Sequence, residues 1–233
     1  MAALSSVAIA QPTGKDIVKM MHDRYAGKWY RSFTFNQTTE LHRYDGSSRT
    51  ETWYEFVGFP DRLRIDRGPA DSGNVAIYLG ATCYRFRKGK LHSEFHDNNA
   101  GLIFLLGGMF FYPLEQTETI FDSLHYDLGK GHEDAWKGRA VYVIGANKGE
   151  DSTNQLWIDK ENLYLVRMIK IDPHARLEAL FEEWKPMGGG WLETKCSFFV
   201  DGHLAQVETY HDYKVNVLLD DRLFDHTNLI QSH

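Results

Sequence analysis

The sequence is short of several things, and each shortage narrows what it can do. It carries only two cysteines in 233 residues, Cys83 and Cys196. Two are too few for a disulfide framework, and their spacing suits no metal site. Both fall in strand-like segments, where a buried free cysteine behaves as a small apolar residue. Basic residues are in deficit, with 26 Lys and Arg against 32 Asp and Glu and a net charge of −6. A phosphate backbone is held by a basic stripe, and none is visible, so no nucleic-acid partner is expected. No apolar run reaches the roughly 20 residues that a membrane-spanning helix needs. A G-x-S-x-G elbow, a P-loop, a dinucleotide fingerprint and an HExxH helix are all missing. With no nucleophile, base and orienting group assembled, the expectation is a protein that is not an enzyme and uses no cofactor.

What the sequence has is a concentrated apolar segment. Between Asp97 and Glu115 no side chain is charged, and Ala100–Leu114 reads AGLIFLLGGMFFYPL. A helix that is apolar all round must be buried on every side. Gly107 and Gly108 break or kink it, and Pro113 suits the first turn of a second helix. The paired glycines serve as a helix stop or as hinges.

The flanks are strand-like. Thr13, with Asp16 three residues on, caps a helix whose Ile17, Met20, Met21 and Tyr25 share one face, and Gly27 ends it. From Trp29 the period becomes alternating: Asp45-Gly46 turns the chain, Arg49–Phe59 returns, and Asn74–Leu79, Thr82–Arg87 and Leu91–His96 follow as short strands. Leu114–Tyr126 reads as a helix and Asp127–Gly138 as a loop. Strands resume over Arg139–Ala146, Gln155–Asp159, Leu163–Asp172, Arg176–Trp184, Trp191–Val200 and Leu204–Leu218. Short turns make antiparallel neighbours. The fold class is mainly β (α+β). A sheet of about eleven strands must curl into an incomplete antiparallel barrel, enclosing more room than its own side chains fill. The surplus room needs a helix, a ligand or both, and the apolar stretch meets it as helices plugging an apolar cavity.

Phe33, Phe35, Trp53, Ile65, Ile77 and Phe86 are spaced to line that cavity, with Ile103, Phe104, Leu106, Phe110 and Phe111 as the plug. Polar clusters have plainer readings. His92, Glu94 and His96 share one strand face and have metal-ligand chemistry, but an alternating wet face has the same pattern. No metal is expected there, or at His132-Glu133-Asp134, or at His211-Asp212. The remaining alternatives are an enzyme acting on a hydrophobic substrate in the same cavity, and a structural envelope protein.

The order helix, hairpin, strands, helical insertion, meander resembles the periplasmic lipoprotein-carrier family, the LolA/LolB/LppX-like proteins. The resemblance runs from Asp16 to Asp225 and rests on W53-YEFVGFPDRLRI-D66, on Leu156-Trp157-Ile158-Asp159-Lys160-Glu161 and on Tyr213-Lys214-Val215-Asn216-Val217 followed by Asp221–Asp225. It implies a monomeric periplasmic carrier of lipid or lipoprotein acyl chains, with inner- or outer-membrane lipoprotein transport components as partners. The carriers place an arginine before the proline that follows the second strand, where it helps to hold the lid closed; here that position is Phe59. The opening MAALSSVAIA ends in Ala8-Ile9-Ala10, like the cleavage end of an export signal without its basic start. The expected layout is a signal-like or disordered 1–12, one barrel domain over 13–225, and a flexible tail over 226–233.

Overall fold

A computed structural model of the chain describes residues 11–69, 71–96 and 101–231. The signal-like residues 1–10, and Ala100 at the head of the apolar stretch, lie outside the described residues. Helix α1 (Gly14–Tyr25) opens the chain with a full capping box: Thr13 Oγ1 accepts from Asp16 N at 3.2 Å, and Asp16 Oδ2 accepts from Thr13 N at 2.8 Å. Its buried face is Ile17, Val18, Met21 and Tyr25, as the helical spacing requires, with Met20 at its border.

Six strands follow: β1 (Ser32–His42), β2 (Ser48–Gly58), β3 (Arg62–Arg67), β4 (Val75–Leu79), β5 (Thr82–Arg87) and β6 (Lys90–His96). The helical insertion comprises α2 (Gly101–Leu105), a 3-10 turn (Gly108–Phe111) and α3 (Leu114–Ser123). The second run is β7 (Gly131–Trp136), β8 (Arg139–Ile144), β9 (Gln155–Asp159), β10 (Leu165–Asp172), β11 (Ala175–Glu182), β14 (Lys195–Val200) and β15 (His203–Val215), with the small hairpin β12 (Lys185–Met187) and β13 (Gly190–Leu192) between β11 and β14. A 3-10 turn (Asp221–Phe224) and α4 (His226–Gln231) end it.

Thirteen strands form one antiparallel sheet in the order β6-β5-β4-β3-β2-β1-β15-β14-β11-β10-β9-β8-β7. Two meanders are joined where the first strand pairs with the last. The edges β6 and β7 do not pair, so the sheet curls without closing, which is the expected incomplete barrel. The helical insertion is the connection between these two unpaired edges. α1 packs on β7, β8 and α3, on the same side of the sheet.

Three boundaries differ from the sequence reading. The segment read as a loop over 127–138 contains β7, whose mixed sequence GHEDAW shows no apolar alternation yet pairs with β8 from Gly131 to Trp136. The run read as one strand over 191–200 is broken at Glu193 and Thr194. The tail expected to be loose from 226 is helical to Gln231: His226 stacks on Tyr84 at 3.8 Å, and Leu229 packs on Val75, Ile77 and Phe86.

Candidate functional site

The inner face of the curl encloses a cavity of about 420 Å³, within the range of about 300–1,000 Å³ typical of small-ligand sites. Its wall follows from register. On β1, Phe33 and Phe35 are two apart and point one way. Across the ladders Phe33 stands opposite Val57 and Phe35 opposite Glu55, and these stand opposite Leu63 and Ile65 on β3. Directly paired residues share a face. From the other meander come Met168, Ala179, Phe181, Cys196 and Phe198. The plug closes one side with Leu102, Ile103 and Leu106.

Of the residues expected to line the cavity, Phe33, Phe35, Trp53, Ile65, Ile103 and Leu106 are brought together there. Ile77 and Phe86 are not. Ile65 pairs with Ala76 and Leu63 with Tyr78, so the inward residues of β4 are Ala76 and Tyr78. Val75, Ile77 and Phe86 form a separate cluster under Leu229, on the outer face. The error has a physical source: β4 is VAIYL, apolar on both faces, and alternation cannot orient such a strand.

Phe104, Phe110 and Phe111 belong to the plug but touch its supports rather than the cavity. Phe104 meets Phe121 edge-on at 5.2 Å. Phe110 packs on Trp29 at 4.8 Å and Tyr25 at 5.3 Å. Phe111 stacks on Phe59 at 5.6 Å. The position where the carriers hold an arginine is therefore filled by an aromatic contact to the plug. Arg62 and Arg64 are engaged elsewhere: Arg62 pairs with Asp221 at 2.7 Å over the Phe224 ring, and Arg64 Nη1 donates to the Leu223 carbonyl at 3.0 Å. Both pin the C-terminal segment to the outer face.

The two glycines of the plug answer to close approach. A Cβ on Gly107 would sit 2.4 Å from Trp29 Nε1 and 2.8 Å from Phe59 Cζ; one on Gly108 would sit 2.4 Å from the Pro60 carbonyl oxygen. Only a residue without a side chain lets the plug backbone lie that near the wall.

Sequence reasoning missed the polar part of the cavity. Glu55, Glu193 and Glu208 all line it, from β2, from the break between β13 and β14, and from β15. Burial raises all three carboxyls above their ordinary range, Glu193 to about 8, with the charge of Glu208 adding to the rise at Glu55 and Glu193. Glu208 accepts from Gln206 Nε2 at 2.5 Å and from the Tyr210 hydroxyl at 3.4 Å. Cys196 Sγ lies 3.4 Å from the same hydroxyl, and burial pushes that thiol up. Both cysteines are free and buried. The available signal was Glu55 and Glu208 on strand positions in phase with apolar neighbours. Among the described residues no three or more His, Cys, Asp or Glu are gathered as a metal site.

No family model matches the chain, and no curated protein matches it. Solved structures do. An outer membrane lipoprotein-sorting protein domain from Vibrio parahaemolyticus superposes with a TM-score of 0.67 at 12% identity, over 94% of this chain and 98% of that one. A DUF1329 family protein from Desulfovibrio piger gives 0.59 at 17%, over 94% and 100%. The LolA superfamily protein NE2245 from Nitrosomonas europaea gives 0.58 at 13%, over 91% and 97%. At these identities the likeness is one of fold, and it spans 97–100% of each of the three structures.

Proposed function

This chain has the LolA-like fold, and from that premise we propose that it is a periplasmic, non-enzymatic carrier or binding protein that holds acyl chains of a lipid or lipoprotein in its cavity. The observation that carries the reading is the apolar cavity under a plug of matching character: Phe33, Phe35, Trp53 and Ile65 face Ile103 and Leu106 across it. The sorting-domain and LolA superfamily structures share the architecture, which supports a carrier role.

Physical chemistry supplies the need. Each buried CH₂ is worth about 0.8 kcal/mol, so acyl chains leave a bilayer only for a site of comparable apolar area. An open-edged sheet suits such a cargo, because its plug connects two unpaired strands and can move without breaking the ladder. Among the described residues no helix is long and apolar enough to cross a membrane.

The test is mass spectrometry of the organic extract from natively purified protein. Stoichiometric acyl lipid is the expected result, and its chain type identifies the cargo. An empty extract that stays empty after incubation with lipid vesicles and re-purification would overturn the reading.

A further inference from the structure

The three glutamates set a condition on the cargo that an apolar cavity alone does not. Glu55 and Glu208 are 8% exposed and Glu193 is 2% exposed. A buried carboxylate is costly unless it is paired and hydrogen-bonded. Elsewhere this chain meets that requirement: Glu178, at the edge of the same cavity, takes Arg167 Nε and Arg176 Nη1 at 2.7 Å each. Those two arginines hold it below its ordinary value although burial pulls the other way.

Glu55 and Glu193 are treated differently. Neither side chain makes an ion pair or a hydrogen bond with a side chain of any described residue, and Glu193 has only its own backbone N–H. Arg67 is the only cation among the described residues that face the glutamates. Its guanidinium stacks on Trp53 at 4.4 Å, and its Nε is buried without a partner. Three carboxyls against one guanidinium leave two acids in excess. Beside Glu208, Gln37 is fully buried on the inward row of β1, and its Oε1 accepts from nothing. This end of the cavity thus carries more acids than bases, and Glu55, Glu193 and Gln37 Oε1 accept from no side-chain donor there.

We propose that the cavity selects a single-chain amphiphile with a cationic ammonium head group, seating the chain among the aromatic side chains and the head among Glu55, Glu193 and Glu208. The proposal rests on the reading of the cavity as an acyl-chain site. A metal ion does not answer the same need, because the carboxyls come from different parts of the wall and are not gathered about a point. An ammonium head needs no closed coordination sphere: its N–H groups can donate to Glu55 or Glu193, neither of which has a side-chain donor.

Binding has a proton balance. In the empty cavity Glu193, raised to about 8 by burial, holds its proton at neutral pH, with Tyr210 and Cys196 nearby also neutral because burial raises both. An R–NH₃⁺ head restores the carboxylate form, so Glu–COOH becomes Glu–COO⁻ and the proton leaves to the buffer. A neutral head releases none, and an anionic head keeps the raised carboxyl protonated and releases none either.

The experiment is isothermal titration calorimetry of the full chain with dodecylammonium, dodecanol and dodecanoate, each as monomer, at neutral pH in two buffers of different ionisation enthalpy. Dodecylammonium is expected to bind at least about tenfold more tightly than dodecanoate, with a heat that shifts between buffers as proton release requires. The double variant Glu55→Gln/Glu193→Gln, which keeps the shape of the protonated pair, is expected to lose both the preference for dodecylammonium over dodecanoate and the proton release, with dodecanol reporting whether the cavity is still formed. Equal affinity for the three heads, or a preference unchanged in the double variant, would overturn the charge selectivity and leave the acyl-chain site standing. Failure of all three to bind would overturn the acyl-chain reading itself.

Discussion

Phe59 and Phe111 stack face to face, with ring centroids 5.6 Å apart and planes 14° from parallel. Phe59 begins the turn after β2, and Phe111 ends the 3-10 turn of the plug, so the pair ties the plug to the wall through rings alone. Phe59 also stacks on Phe33 at 6.0 Å, and Phe33 on Phe35 at 5.1 Å, so the tie continues into the cavity wall. An aromatic pair of this kind is worth about 0.5–1.5 kcal/mol beyond its buried area. Phe111→Ala should therefore speed release of a fluorescent acyl probe. A double-mutant cycle with Phe59→Ala should show coupling of that size in thermal or urea unfolding. Coupling near zero would mean that the plug is held from the Trp29–Phe110 side instead.

The glycines beside that tie give a second test. A methyl group at Gly107 or Gly108 would overlap Trp29 or the Pro60 carbonyl, and neither contact is a flexible side-chain tip. Gly107→Ala and Gly108→Ala should each destabilise by about 1–3 kcal/mol, the usual cost of overpacking. If the glycines served only as hinges, alanine would leave the melting temperature nearly unchanged and slow ligand exchange.

The buried carboxyls make stability depend on pH in an unusual direction. In the unfolded chain Glu193 ionises near the ordinary carboxylate value, while in the folded chain it does so at about 8. Between those values the native state binds more protons than the unfolded state, so stability falls as pH rises through the window. Glu55 and Glu208 act in the same sense. The melting temperature should drop from about pH 5 to about pH 8, and Glu193→Gln should flatten the drop and be the more stable protein at the upper end. A melting temperature that rises over this range would show that the carboxyls are ionised in the fold.

Much of this was legible from residue order. The capping box at Thr13, the strand turns, the uncharged plug and the inward phase of Phe33, Phe35 and Ile65 all follow from periodicity, because each depends on neighbours within a few residues. The orientation of β4 did not follow, because Val75–Leu79 is apolar on both faces and its outward cover comes from Leu229, far along the chain. β7 was hidden by its polar sequence, and its pairing is dictated by β8. The glutamates of the cavity were hidden for a related reason: they are gathered by cross-sheet register, and a single Glu in a strand reads as a solvated position. Glu193 was the hardest to foresee, since it lies where a predicted strand breaks.

The outer cluster predicts what the C-terminal segment is for. Arg62 holds Asp221 and Phe224, and Leu229 covers Val75, Ile77 and Phe86. A chain ending at Asp220 should lose several kcal/mol, since one buried large apolar side chain is worth about 1.5–3 kcal/mol. It should still bind acyl probes, because none of these residues lines the cavity. Loss of binding in a truncated protein that remains folded would show that the two faces of the sheet are coupled.

Phe104 and Leu106 are two residues apart in the plug and are expected to answer differently to substitution. Leu106 lines the cavity and is only partly buried, whereas Phe104 is buried against Phe121 and takes no part in the lining. Leu106→Trp adds volume into open space, so it should lower acyl-probe uptake several-fold at nearly unchanged stability. Phe104→Ala leaves the cavity wall intact and should cost about 3–5 kcal/mol, the range for deleting a buried aromatic ring. Uptake at a temperature where the Phe104 variant is folded should stay near that of the parent chain. Should Leu106→Trp bind as well as the parent, the cargo would have to sit away from the plug, along Phe181 and Phe198 on the opposite wall.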